Sequence, residues 1–394
     1  MPARYTLYEE PRAFRTPSRV WYGAGAAART GACAQELGIP AGPTLLVTDA
    51  VVDQLGLARE AAAGLEAAGY TLSRFSDIPG EPTAEVADRA AAVARQLAPV
   101  LVVGVGGGSV MDVAKLAAAL VGNPGGVMEY TNFGDKRFAR PAVPVILVPT
   151  TAGTGAEASP NAVVTSGHRK AFANNYPQLL AAGAVLDPRL TASLPPVVTA
   201  HTGLDALSHC VEGMLSTNAT ALTDLAATQG IGLITRALPR AYAAGNDAHA
   251  RAEMLLGAYL GGQSLNAGMV LGHSIAYTIA NRLHLPHGFS CALALPYTVA
   301  YNRDAAQERL GKIGEAAGID GGRVVQRIQS LGQDVGIPEA LRTLGLERDR
   351  LPEMVTECLE LYPRPNNPRP LERDALLSLY QAMWEGRPAD AWTA

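Results

Sequence analysis

Asp205 and His209 stand four residues apart in Gly203-Leu-Asp-Ala-Leu-Ser-His209, and two further histidines, His273 and His287, follow later in the chain. The surrounding stretch is rich in Ala and Leu with helical periodicity, so a carboxylate and an imidazole at this spacing leave the helix on the same face from successive turns. His273 follows Gly272 and opens another helical run, while His287 lies in Leu285-Pro-His-Gly288, where proline and glycine mark a loop at the end of that run. Three nitrogens and one oxygen suit Zn or Fe(II) and leave a coordination position open for a substrate oxygen. A plainer account fits the same residues: an acidic helix residue and core histidines satisfied by hydrogen bonds. Choosing between them takes a second signal of a different chemical kind.

That signal lies in Leu101-Val-Val-Gly-Val-Gly-Gly-Gly-Ser109, a buried strand that breaks into glycines before the helical Val110-Met-Asp-Val-Ala-Lys115. Glycine lets backbone N–H groups approach a pyrophosphate, and a helix N-terminus adds a favourable dipole. Ser109 is expected to cap this helix, with Asp112 and Lys115 in its first turns. The spacing differs from GxGxxG, and a plain strand-to-helix turn fits it too. Asp49 ends the strand Leu45-Leu-Val-Thr48, where a carboxylate would accept hydrogen bonds from an adenosine ribose and repel a 2′-phosphate; capping the next helix is the equally simple alternative. A second polar loop, Pro149-Thr-Thr-Ala-Gly-Thr-Gly-Ala-Glu-Ala-Ser159, also follows a strand and offers hydroxyl and backbone donors.

These segments must be positioned by a scaffold, and the chain supplies two kinds. From about residue 43 to 187, short apolar runs alternate with amphipathic helices: strands at 44–49, 70–77, 99–105 and 143–149, helices at 55–68, 83–96 and 109–120. Such alternation predicts a parallel, doubly wound α/β sheet. After Leu194-Pro-Pro-Val197 the pattern is helical almost throughout, so the expected organisation is a dinucleotide-binding α/β domain over 1–195 and an all-α metal-binding domain over 196–394. With 394 residues, 48% of them hydrophobic, the chain can bury a large core, and a formal charge of -4 argues against nucleic acid or an anionic membrane as partner. The four cysteines lack CxxC spacing, and Cys210 and Cys291 sit in apolar surroundings typical of reduced core thiols. No apolar h-region or spanning stretch is present, so a cytoplasmic setting is expected, and the Ala-rich helices fit a homo-oligomer, a dimer above all.

Taken together, Gly106 to Lys115, Pro149 to Glu157, Gly203 to His209 and His273 through Leu-Pro-His287-Gly288 resemble the iron-containing, metal-dependent alcohol dehydrogenases, over nearly the whole chain and in the family's order. The resemblance implies a dehydroquinate synthase-like fold with an N-terminal nucleotide domain and a helical metal domain. It implies metal ligation by Asp205, His209, His273 and His287, and cofactor contacts from Asp49, Gly106, Gly107, Gly108, Ser109, Asp112, Thr150, Thr151, Thr154 and Lys170. The activity it implies is hydride transfer between NAD(H), favoured over NADP(H), and a small aldehyde or its primary alcohol, with Fe(II) or Zn as Lewis acid.

The chain departs from the pattern at Tyr277, where many relatives carry a histidine near the nicotinamide. A tyrosine, with an ordinary pKa near ~10, is a poor proton shuttle at neutral pH, so Tyr277 is counted with the catalytic residues chiefly as a hydrogen-bond donor, and His284 is a substitute relay. Glu81 stands where some relatives have Asn. Asn161, His168, Arg169 and the loop from Arg364 to Arg369 offer polar and cationic groups that suit a small anionic aldehyde, and in its His-to-Tyr segment at Tyr277 the chain resembles phosphonoacetaldehyde reductases and 4-hydroxybutyrate dehydrogenases. Glycerol-1-phosphate dehydrogenase, a dehydroquinate synthase-like lyase, maleylacetate reductase and a non-enzymatic binding module are the alternatives.

Overall fold

The computed structural model describes residues 3–388 except His168. The chain divides into two compact units: Arg15–Ser193, and the chain up to Phe14 together with the chain from Leu194 onward. The N-terminal segment is held to the second unit by hydrogen bonds from Tyr5 Oη to the Leu215 carbonyl (2.9 Å) and from Arg12 to Asn218 (2.6 Å).

In the first unit the strands are β1 (Arg19–Tyr22), β2 (Pro43–Val47), β3 (Thr71–Phe75), β4 (Leu101–Gly106), β5 (Val145–Pro149), β6 (Ala162–Ser166), β7 (Arg169–Ala173) and β8 (Gly183–Leu186). Six of them form one sheet in the order β1-β8-β5-β4-β2-β3, and every pairing in it is parallel. The helices are α1 (Thr30–Glu36), α2 (Ala50–Leu55), α3 (Arg59–Ala67), α4 (Ala84–Leu97) and α5 (Gly108–Gly122). Alternate strand residues feed two cores, as the pleat requires. Leu46, Leu101, Val103 and Val105 pack with Cys33, Ala61 and Leu65 of α1 and α3 on one face. Leu45, Val47, Val102 and Leu147 pack with Ala90, Ala94, Val113 and Ala117 of α4 and α5 on the other. With both faces covered, β4 and β5 are buried along their whole length and are apolar almost throughout.

Several local readings change. The helix expected over 55–68 is α3 (Arg59–Ala67), and a separate short helix, α2 (Ala50–Leu55), precedes it and ends where Gly56 takes a left-handed conformation (φ 69°). Ser109 does not cap α5: Gly107 is the N-cap and no side chain caps this end. Strands β1 and β8, and the antiparallel hairpin β6–β7, lie outside the expected set.

The second unit has α6 (Pro196–Leu215), α7 (Ala221–Ala243), α8 (Ala248–Ser264), α9 (Leu271–Leu283), α10 (His287–Asn302), α11 (Gln307–Ala316), α12 (Val324–Asp334), α13 (Leu351–Leu361) and α14 (Arg373–Glu385), with no strand among the described residues. Helix α6 starts at Pro196, a favoured first-turn residue, and is buried from Gly203 to Leu215. His287, expected in a loop, is the first residue of α10, with Pro286 as N-cap. No described helix is long and apolar enough to cross a membrane.

Candidate metal and nucleotide sites

The strand order reverses between β2 and β4, since the chain leaves β2 for β3 on one side and returns to β4 on the other. Ligands of open α/β sheets bind beyond the strand C-termini at such a point. Val47 pairs with Gly104, so two residues further along the two strands come Asp49 and Gly106. Asp49 caps α2, its Oδ1 accepting from the Val52 N–H at 2.8 Å, so the simpler account of this residue holds for one carboxylate oxygen. Gly106, Gly107, Gly108 and Ser109 turn into α5 against the loop after β5, where the Thr150 N–H donates to the Gly106 carbonyl (3.0 Å). A Cβ on Gly108 would fall 2.5 Å from Thr154 Cγ2, and one on Gly107 3.4 Å from Thr151. None of these turn glycines has a positive φ, so the requirement is close approach, not backbone conformation.

The charged neighbours face inward. Asp112 accepts from the Val163 N–H (3.0 Å) and pairs with Lys115 (3.1 Å), whose buried ammonium also donates to the carbonyls of Ala156 and Asn161. Lys170 pairs with Glu81 and donates to Thr165 Oγ1 at 3.0 Å. The structure thus brings the glycine turn, Thr150, Thr151 and Thr154 together and gives Asp112 and Lys170 partners in the protein. Arg169 is exposed, Asn161 accepts from the Asn175 N–H, and His168 lies outside the described residues.

In the helical unit, Asp205 and His209 from α6, His273 from α9 and His287 from α10 converge. Both Nε2 of His209 and Nε2 of His287 lie 3.7 Å from Asp205 Oδ1. The ring of His273 is 4.9 Å from that of His209 and 5.3 Å from that of His287. Glycines permit this convergence: a Cβ on Gly288 would meet the His201 carbonyl at 2.5 Å, and one on Gly272 would meet Glu212 Oε1 at 2.5 Å. Two participants were not anticipated. Cys291, one turn after His287, has Sγ 3.5 Å from His287 Nε2 and 3.8 Å from His273 Nε2, and it forms a tight donor group with Asp205, His273 and His287. Its signal in the sequence was the same four-residue spacing that marked Asp205 and His209. Glu212, one turn beyond His209, accepts from His273 Nδ1 at 2.7 Å and from the N–H groups of Val270 and His273.

The electrostatics follow from burial. Burial pushes Glu212 up to about 7 against the lowering effect of Arg364. Burial alone would raise Asp205, but His209, His287 and His273 together hold it below its ordinary value. His273 is pushed well down by burial and then by His209. Burial also raises Tyr277, which packs between the His287 ring at 5.5 Å and the Tyr362 ring at 4.9 Å. His284 is exposed at the left-handed end of α9.

Asp205 Oδ1 and His209 Nδ1 are buried without a hydrogen-bond partner. Each such group costs about 1–3 kcal/mol if left so. Three imidazoles, a carboxylate and orphaned polar atoms fit a divalent cation, and the Glu212 bond to His273 Nδ1 leaves its Nε2 facing the cluster.

An open α/β sheet with a glycine turn at its switch point, together with a helical unit carrying a His-rich donor cluster, is the architecture of a metal-assisted nucleotide oxidoreductase. The chain belongs to the iron-containing alcohol dehydrogenase family: the model for iron-containing alcohol dehydrogenase matches residues 17–188 and that for the family's C-terminal part matches 199–384. It is similar to long-chain-alcohol dehydrogenase 1 of Geobacillus thermodenitrificans, 36% identical over 87% of this chain and 89% of that one. Among solved structures it is similar to a 1,3-propanediol oxidoreductase (TM-score 0.89, 29% identity, 95% of this chain and 100% of that chain). It is also similar to the sulfoacetaldehyde reductase of Bifidobacterium kashiwanohense in complex with NAD+ (TM-score 0.86, 27% identity, 95% of this chain and 99% of that chain). The protein is an alcohol dehydrogenase or aldehyde reductase with a dehydroquinate synthase-like fold, not a non-enzymatic binding module.

Proposed function

We propose that Asp205, His209, His273 and His287 hold a divalent metal, Fe(II) or Zn, and that the α/β unit binds NAD(H) for the interconversion of a small aldehyde and its primary alcohol. The observation that carries this reading is the orphaned, buried Asp205 Oδ1, with Nε2 of His209 and Nε2 of His287 each 3.7 Å from it and His273 completing the cluster. A metal bound there supplies Lewis acidity toward the carbonyl oxygen. The protein's own groups do the rest. Glu212 fixes the tautomer and orientation of His273. Tyr277 keeps its proton and acts as a hydrogen-bond donor rather than a shuttle, because burial raises it. The uncapped N-terminus of α5, with Gly106–Ser109 and Thr150, Thr151 and Thr154, receives the pyrophosphate. Asp49 keeps one carboxylate oxygen beyond its capping bond, which accepts from ribose hydroxyls and disfavours a 2′-phosphate, so NAD(H) is preferred over NADP(H). Asp112 and Lys170 shape this site through their internal pairs. Four buried, free cysteines support a reducing, cytoplasmic setting, and a homo-oligomer, a dimer in the first instance, belongs to the same reading.

The test is metal analysis of the purified protein joined to NADH and NADPH oxidation assays on short aldehydes. About one Fe or Zn per chain and faster turnover with NADH are expected. A protein that turns over aldehydes fully after exhaustive chelation would overturn the metal assignment.

A further inference from the structure

Arg364 belongs to the Pro/Asn-rich loop between α13 and α14, and this loop is clamped to the helical unit by the side-chain amides of buried Asn367 and half-buried Asn366. Asn367 donates to Asn302 Oδ1 (2.8 Å) and accepts from the Leu271 N–H (3.2 Å), while Asn366 donates to Ser216 Oγ (2.9 Å) and to the Met269 carbonyl (3.0 Å). The Tyr362 carbonyl accepts from Ser274 Oγ at 2.6 Å. Arg364 then donates through Nε to that same Ser274 Oγ at 2.9 Å. Ser274 directly follows His273, so the guanidinium is fixed one residue from the donor cluster.

The two arginines of this loop differ in what they do. Arg369 lies over the Tyr301 ring, 4.3 Å from its centroid, and donates to the Tyr301 carbonyl. Arg364 is half-buried, and among the described residues no carboxylate lies within ion-pair distance of it and its two terminal nitrogens have no hydrogen-bond partner. Glu212 does not fill that role, because its oxygens are taken by His273 Nδ1 and by the N–H groups of Val270 and His273. The charge of Arg364 nevertheless reaches Glu212, His273 and Tyr277. A guanidinium fork on a clamped loop, with Nε anchored and both terminal nitrogens open, is pre-organised for bidentate binding of an oxyanion.

We propose that Arg364 is a specificity-determining residue that receives an oxyanion, carboxylate, sulfonate or phosphonate, on a short aldehyde whose carbonyl is reduced at the His273 cluster. This rests on the aldehyde-reductase reading above and adds the substrate class.

The test compares kcat/KM for glyoxylate, succinic semialdehyde, sulfoacetaldehyde and phosphonoacetaldehyde with that for propanal and butanal, in the wild-type holoenzyme, Arg364→Met and Arg364→Lys. Loss of a charge-assisted bidentate contact lowers the anionic-to-neutral ratio by about 10- to 100-fold in Arg364→Met, with Arg364→Lys between the two. The four anions rank the oxyanion types, and methanesulfonate inhibition against butanal weakens in parallel. An unchanged ratio in Arg364→Met overturns the proposal. Equal loss on both classes together with loss of bound metal also overturns it, and assigns Arg364 to support of the Glu212–His273 pair. If the wild type reduces no aldehyde of either class, the reductase reading falls, and this proposal with it.

Discussion

The donor cluster of the helical unit and the glycine turn of the α/β unit prepare for their ligands in opposite ways. In the cluster the binding groups are side chains, and they are left in want of a partner: Asp205 Oδ1 and His209 Nδ1 are buried and unbonded. Around the turn the charged side chains have found one another, as Lys115 with Asp112 and Lys170 with Glu81 show. What remains available there for a pyrophosphate is backbone, the uncapped first turn of α5, although Thr48 Oγ1 and Glu157 Oε2 are also buried without a hydrogen-bond partner. A site built of side chains shows itself as unsatisfied polarity, whereas one built of backbone shows itself as space kept clear by glycine. Damage to the first should therefore act on metal binding, and damage to the second on nucleotide binding.

The largest effect is expected from His209→Ala or His273→Ala. Removing one of four ligands should lose the metal, and with it several kcal/mol of transition-state stabilisation, on the order of 10³-fold or more in kcat/KM. Full metal occupancy in either purified variant would break the assignment. Glu212→Gln sharpens it: metal affinity should drop about 10- to 100-fold with all four ligands intact. Chelator competition measures this, and unchanged affinity would make the 2.7 Å bond to His273 a packing feature only.

On the other side of the comparison, Gly108→Val places a side chain where Thr154 Cγ2 already lies 2.5 Å away. The turn must open, so the dissociation constant for NADH should rise at least ~10-fold while metal content stays at the wild-type level. Isothermal titration alongside metal analysis separates the two, and loss of metal in this variant would contradict the division of labour. A smaller change is expected from Asp49→Gly. Removing the carboxylate should reduce the NADH-over-NADPH ratio of kcat/KM, at a stability cost of only a few tenths of a kcal/mol for the cap. An unchanged ratio would leave Asp49 with its capping role alone.

The same contrast explains which features could be read from the sequence. Asp205 and His209 were legible because one helix presents residues four apart on one face. The parallel sheet was legible from apolar runs such as Leu101–Gly106, buried on both faces. Cys291 has the same spacing from His287, but the proline and glycine around His287 suggested a loop where Pro286 in fact starts α10. Glu212 was hidden because its role depends on α9 packing against α6, a long-range contact with no local pattern. Strands β1 and β8 are four residues each, too short for periodicity to register, and partly exposed β1 carries Arg19 and Trp21. Helix α2 escaped the pattern because it is only six residues long and ends at Gly56, before the alanine-rich run that marks α3.

Tyr277→Phe should give the smallest effect and the finest test. The phenol stands where many relatives carry a histidine, yet burial raises it from its ordinary value, so at neutral pH it holds its proton firmly. A group so placed can donate a hydrogen bond but does not exchange a proton on each turnover unless a strong base is present in the complex. Its ring packs against His287 and Tyr362, contacts that phenylalanine retains. Loss of the hydroxyl alone should therefore cost about 0.5–1.5 kcal/mol, up to roughly tenfold in kcat/KM. Metal and NADH binding should be unchanged, and the pH profile should keep its shape. A loss of about a thousandfold, with both ligands still bound, would instead make Tyr277 the proton donor, and the departure from the family's histidine would then be a replacement of function.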